Sequence, residues 1–130
     1  KYLVAESNGG QAVNANRSAI GSWERFTLNL LYSEGDLNCI QSGDKVAINT
    51  QGGYYLRANS NGNLDAQASA INSWEPFTLT NHSDSTGCLA SGDSISLLGA
   101  HNKYVVAENN GDANANRSAI GSWEKFTVSF

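Results

Sequence analysis

The chain has 130 residues, of which 40% are apolar and 15% charged, with 13 Gly and a single Pro. That is enough to bury one core, and the balance fits neither charge-driven disorder nor a low-complexity linker. A net charge of −4 argues against a partner held by phosphate neutralisation, which needs clustered Lys and Arg, so no nucleic-acid partner is expected.

The first segment, Lys1-Tyr2-Leu3-Val4-Ala5-Glu6, already reads as a strand, with no charged-then-apolar leader ahead of it, as in a processed or excised module. An Asn/Gly-rich turn follows, then Asn14-Ala15-Asn16-Arg17, then Ser22-Trp23-Glu24-Arg25-Phe26-Thr27. The longest apolar stretch, Phe26 to Tyr32, is far short of the roughly 20 residues that span a bilayer, so no membrane segment is expected. After Cys39 and Ser42-Gly43-Asp44 comes the strand Lys45-Val46-Ala47-Ile48-Asn49, and the order then repeats. Tyr54-Tyr55-Leu56-Arg57-Ala58-Asn59 matches the first segment, Asp65-Ala66-Gln67-Ala68 the second, and Trp74-Glu75-Pro76-Phe77-Thr78 the third. Cys88 and Ser91-Gly92-Asp93 lead into Ser94-Ile95-Ser96-Leu97-Leu98. Lys103-Tyr104-Val105-Val106-Ala107-Glu108, Asn114-Ala115-Asn116-Arg117 and Trp123-Glu124-Lys125-Phe126-Thr127 complete a third copy.

The tryptophans lie 51 and then 49 residues apart, so a complete unit is about 50 residues and three would need about 150. The deficit falls at the start, because the strands at 45–49 and 94–98 have no counterpart before Lys1. Short, alternating, β-branched and aromatic segments between Gly/Asn/Ser/Asp turns predict strands throughout. Four strands per unit would give twelve, of which eleven are present. The expected fold is therefore one all-β domain over 1–130, a β-trefoil of pseudo-threefold repeats at about 1–41, 42–90 and 91–130, with the first strand of the first repeat missing. A propeller normally needs at least four blades to close. Cys39 and Cys88 occupy equivalent places: they can meet near a threefold axis and pair, or sit beyond the roughly 5.5 Å Cα separation that a bridge requires.

Strand alternation places Phe26, Leu28 and Leu30 on one face and Trp23, Arg25 and Thr27 on the other. Trp74 and Trp123 travel with polar residues in the same way, so all three indoles are expected outside the core. A flat indole open to solvent can stack on the apolar face of a pyranose, and a nearby carboxylate can accept hydrogen bonds from vicinal hydroxyls. Glu24, Glu75 and Glu124 are the candidate acceptors; their parity is inward, but at the first strand position they can reach the rim. The same test on the preceding strand puts Leu3 and Ala5 inward and Tyr2, Val4 and Glu6 outward, making Glu6 and Glu108 further candidates, with Asn59 in their place in copy two. Arg17 and Arg117 either pair with these acids to brace the loop or touch ligand directly. Copy two has Ala68 there and is expected to be the weakest or most altered site.

The triplicated Ser-Trp-Glu-x-Phe-Thr at Ser22, Ser73 and Ser122, with Ala-Asn-Arg-Ser-Ala-Ile-Gly ahead of it in copies one and three, resembles the fascin-like β-trefoils appended to glycoside hydrolases. It is most similar to family 92 carbohydrate-binding modules, over essentially the whole chain. The resemblance implies a secreted or cell-surface, bacterial, monomeric module without cofactor, attached to a glycoside hydrolase catalytic domain. It also implies up to three sites for β-1,3- and β-1,6-linked glucans, each built on a Trp and a Glu: Trp23 with Glu24, Trp74 with Glu75, Trp123 with Glu124. The Gln-x-Trp signature of ricin-type lectins is absent, so their galactose specificity is not carried over.

Catalysis is not expected. A glycosidase needs two carboxyl groups flanking one bond; Glu6 and Glu24 are a conceivable pair, but copy two replaces the first by Asn59. The two histidines, His82 and His101, lie outside the repeated motif and form no zinc spacing. The alternative reading of the architecture is a cytoplasmic, fascin-like actin-binding or crosslinking domain.

Overall fold

Short runs of alternating residues, each stopped by a Gly, Asn or Asp turn, cannot propagate a helix and fold here into strands. The structure is a computed structural model that describes residues 1–33 and 39–130. It is all-β. In chain order the strands are β1 (Tyr2–Ala5), β2 (Val13–Arg17), β3 (Phe26–Tyr32), β4 (Lys45–Thr50), β5 (Tyr55–Ala58), β6 (Leu64–Ala68), β7 (Phe77–Asn81), β8 (Ser94–Leu98), β9 (Tyr104–Ala107), β10 (Ala113–Arg117) and β11 (Phe126–Thr127). Single 3-10 turns cover Glu6–Asn8, Ser22–Glu24 and Ser122–Glu124.

The strands divide into a body and three hairpins. The body is an antiparallel, nearly closed barrel-like sheet in the order β3, β4, β7, β8, β11. Hairpins β5–β6 and β9–β10 spring from it through the pairs Asn49↔Tyr55 and Leu98↔Tyr104, while β1–β2 forms its own two-stranded sheet. Side chains from all three copies meet in one core around Val46, Leu56, Phe77, Leu79, Ile95 and Val105.

The three hairpins interlock in a ring. Ala15 N–H donates to the Gly111 carbonyl at 2.7 Å, Ala115 N–H to Gly62 at 2.9 Å, and Ala66 N–H to Gln11 at 3.1 Å, so each hairpin bonds to the next and the third returns to the first. Two glycines make the approach possible. Gly62 and Gly111 have φ of +90° and +96°, and a Cβ on either would stand 2.9 Å from the Cβ of Asn116 or Asn16 on the neighbouring hairpin.

The two edges of the body are less completely buried than its middle. β7 has a partner on each side, and Phe77 and Leu79 are fully buried. Among the described residues β3 pairs only with β4 and β11 only with β8, and the matching Phe26, Leu28, Phe126 and Val128 are only partly buried. Alternation misassigns one position of the repeat, in copies one and three. Val4, expected on the solvent face of β1, is completely buried, as is Val106 on β9. The Ser22–Glu24 turn packs back against β1 and the Ser122–Glu124 turn against β9, closing over the face that alternation alone leaves open.

Cys39 and Cys88 are bonded, with a Cα separation of 5.6 Å. The bridge joins the connectors that enter copies two and three, beside a Leu89 N–H to Ile40 carbonyl bond of 2.7 Å. It closes a loop of 49 residues, for which chain entropy gives a stabilisation of about 4 kcal/mol. Cys39→Ser with Cys88→Ser should therefore lower the stability measured by urea unfolding by about 2–4 kcal/mol, with a steeper slope as the unfolded chain loses its cross-link. Gly111→Ala should cost about 1–3 kcal/mol in the same measurement, through the positive φ and the contact with Asn16.

Candidate functional site

The loop before each phenylalanine holds the tryptophan outward because the following glutamate folds inward. Oε1 of Glu24 accepts the Gly21 N–H at 2.7 Å, Oε1 of Glu75 the Asn72 N–H at 2.6 Å, and Oε1 of Glu124 the Gly121 N–H at 2.6 Å. This is the reach-back half of a capping box, satisfying a donor that a short turn would leave orphaned. Glu75 is 3% exposed and Glu124 6%, and the Glu24 side chain is 8% exposed. The structure thus places these carboxylates beneath the loop, not at its rim.

Trp23, Trp74 and Trp123 are 40%, 37% and 48% exposed. For an indole that is substantial, and it leaves an apolar face available for stacking.

Beside the indoles of copies one and three lies a cluster of acid, amide and guanidinium. Glu6 accepts the Asn14 side-chain amide at 2.8 Å on Oε2 and the Arg17 guanidinium at 2.7 Å on Oε1. Glu108 does the same with Asn114, at 3.2 Å, and with Arg117. Each arginine also leans on the buried acid, with Nε 3.9 Å from Glu24 Oε2 in copy one and 4.0 Å from Glu124 Oε2 in copy three. Arg17 and Arg117 therefore adopt the bracing geometry, each standing between an outer and an inner carboxylate. In copy three, Glu108, Asn114 and Trp123 line one shallow depression of about 370 Å³, with Asn109, Asn110 and Asp112.

Sequence reasoning missed Asn14 and Asn114. Their signal was present: they stand at the same place in both copies, opposite Val4 and Val106 in the hairpin register.

Copy two is built differently. Its turn is not 3-10, and Trp74 is held by neighbours: its carbonyl accepts the Ala58 N–H at 3.1 Å, and its ring meets His101 edge-on at 4.9 Å. Asn59 occupies the position of Glu6 and Glu108, and its side-chain amide donates to Asp65 Oδ2 at 2.8 Å. Arg57 Nε donates to Asp65 Oδ1 at 2.8 Å. The loss of the Glu and the Arg, read from Asn59 and Ala68, is thus offset by two residues that sequence reasoning passed over.

No protein-family model matches the sequence, and no curated protein matches it.

The depth of the inner glutamates makes their removal a matter of stability. Glu75→Ala strands the Asn72 N–H and should cost about 1–3 kcal/mol in chemical denaturation.

Proposed function

We propose that the chain is a β-trefoil of the kind seen in family 92 carbohydrate-binding modules, and that it is a non-catalytic module binding β-1,3- and β-1,6-linked glucans at up to three surface sites. The observation that carries this reading is the repeated pairing of a half-exposed indole with a hydrogen-bonding carboxylate cluster, clearest in the depression shared by Trp123, Glu108 and Asn114. An indole face covers the C–H side of a sugar ring while the carboxylate takes its hydroxyl protons. In this reading the acceptor in copies one and three is the outer acid, Glu6 or Glu108, and the Ser-Trp-Glu glutamate serves as the anchor that presents the tryptophan.

The trefoil assignment is supported by eleven strands among the described residues, in three repeating groups, and by the ring of three hairpins. The non-catalytic assignment is supported by the acids themselves. Glu6 and Glu24 share the bracing Arg17, and Glu24 is enclosed, so the two do not face each other across an open cleft. The disulfide favours an oxidising compartment, and so a secreted module over a cytoplasmic actin crosslinker; a bacterial parent protein with a glycoside hydrolase domain is proposed from the sequence resemblance alone.

Several weak sites on one rigid body bind a polymer by avidity, because engaging one raises the local concentration of the next. Trp23→Ala, Trp74→Ala and Trp123→Ala should each weaken retention by a β-glucan in affinity electrophoresis, by about two- to tenfold per lost stacking face. The triple variant should be folded and unretained. Continued retention of that variant, or co-sedimentation of the parent protein with actin filaments and retention by no glucan, would overturn the assignment.

A further inference from the structure

Copies one and three build their cluster from a carboxylate at the end of the first hairpin strand and an amide on the second. Glu6 lies just beyond β1 with Asn14 on β2, and Glu108 just beyond β9 with Asn114 on β10. In copy two the groups change places: the amide, Asn59, lies just beyond β5, and the carboxylate, Asp65, lies on β6. The guanidinium moves as well. In copies one and three it comes from the end of the second strand, at Arg17 and Arg117, whereas in copy two it comes from the middle of the first, at Arg57.

The bonding pattern survives the exchange. Each of the three carboxylates gives one oxygen to a guanidinium and the other to an amide. Arg57 replaces Val4 and Val106, the two valines buried beneath the turn, and a charged residue there needs a partner. Asp65, opposite it in the hairpin register, is that partner. The side chain of Asp65 is 16% exposed, the same as that of Glu108, so the carboxylate keeps comparable access to solvent. The indole of this copy is exposed and is buttressed by His101 from the loop between β8 and β9 in copy three.

We infer that copy two is a complete sugar site of transposed polarity, in which Asp65, positioned by Arg57, is the hydroxyl acceptor beside Trp74. This rests on the carbohydrate-binding reading above. Where sites one and three offer a carboxylate, site two offers the Asn59 amide, and the charge-assisted bond moves across the hairpin. A hydroxyl pair held by Glu6 or Glu108 must therefore be met by Asp65 from the adjacent strand. Site two accordingly ranks small β-linked glucosides in a different order from sites one and three.

The test uses the intact domain with one tryptophan left. In Trp23→Ala/Trp123→Ala only site two remains, and in Trp23→Ala/Trp74→Ala only site three. Each is titrated with laminari- and gentio-oligosaccharides while the remaining indole N–H resonance reports both binding and the fold. Both variants should bind, with different preference orders. Adding Asp65→Asn to the first should weaken it about tenfold or more, the scale of one charge-assisted hydrogen bond. Adding Asn59→Glu as well restores the acid on the first strand and should recover binding with the preference order of site three. Unchanged affinity with Asp65→Asn, failure of the restored variant, or silence of site two while site three binds overturns the inference alone. Silence of both sites overturns the carbohydrate-binding reading itself.

Discussion

A buried carboxylate closing on a backbone N–H three residues earlier is the contact from which each surface site is hung. Removing an acid from water is costly, and it is tolerated only where hydrogen bonds replace hydration. Here one oxygen takes the amide of Gly21, Asn72 or Gly121. Folding the acid in fixes the turn, and the fixed turn leaves the preceding indole no room in the core. Copy two shows which part of the arrangement is indispensable. It has lost the 3-10 geometry, and among the described residues no ion pair to Glu75 is seen, yet the Glu75 to Asn72 bond remains. The arginine is an accessory and the glutamate the anchor.

Much of this was legible in the chain because repetition triples every signal. Alternation around Phe26, Phe77 and Phe126 gives the strand faces, and the outward indoles follow from it. The depth of the glutamates was less accessible: parity says inward, and only the backbone donor three residues away shows how an inward acid is satisfied. Val4 and Val106 fail the parity test for a related reason. A period-two pattern assumes that one face meets water, whereas here a turn from further along the chain returns to cover it. The replumbing of copy two could not be found by matching positions, since Arg57 aligns with valines and Asp65 with asparagines. Compensation between non-equivalent positions is visible only when the groups are seen to touch.

The ring of hairpins and the barrel-like body tolerate variation differently. Within the ring, backbone groups of one hairpin bond directly to the next, which holds Gly62 and Gly111 to a narrow choice of residue. Copy one meets the same requirement with a longer turn, in which Ser7 and Asn8 take positive φ and the Asn8 carbonyl accepts the Thr50 hydroxyl at 2.8 Å. The site residues sit just outside this ring on the same hairpins. Their side chains can be exchanged across a hairpin while the backbone scaffold beneath them is unaltered.

Among the described residues β3 and β11 each pair with one strand, and these edges give the molecule a direction of yielding. Amides along a strand with one neighbour are released by small openings, whereas those of β7 lie between β4 and β8 over the enclosed Phe77 and Leu79. Protection against hydrogen exchange is therefore expected to rise from the seam toward the second copy and to be deepest at β7. The strand most remote from the seam is also the one that leads out of the divergent Trp74 loop, so that altered surface rests on a strand paired on both sides over fully buried side chains.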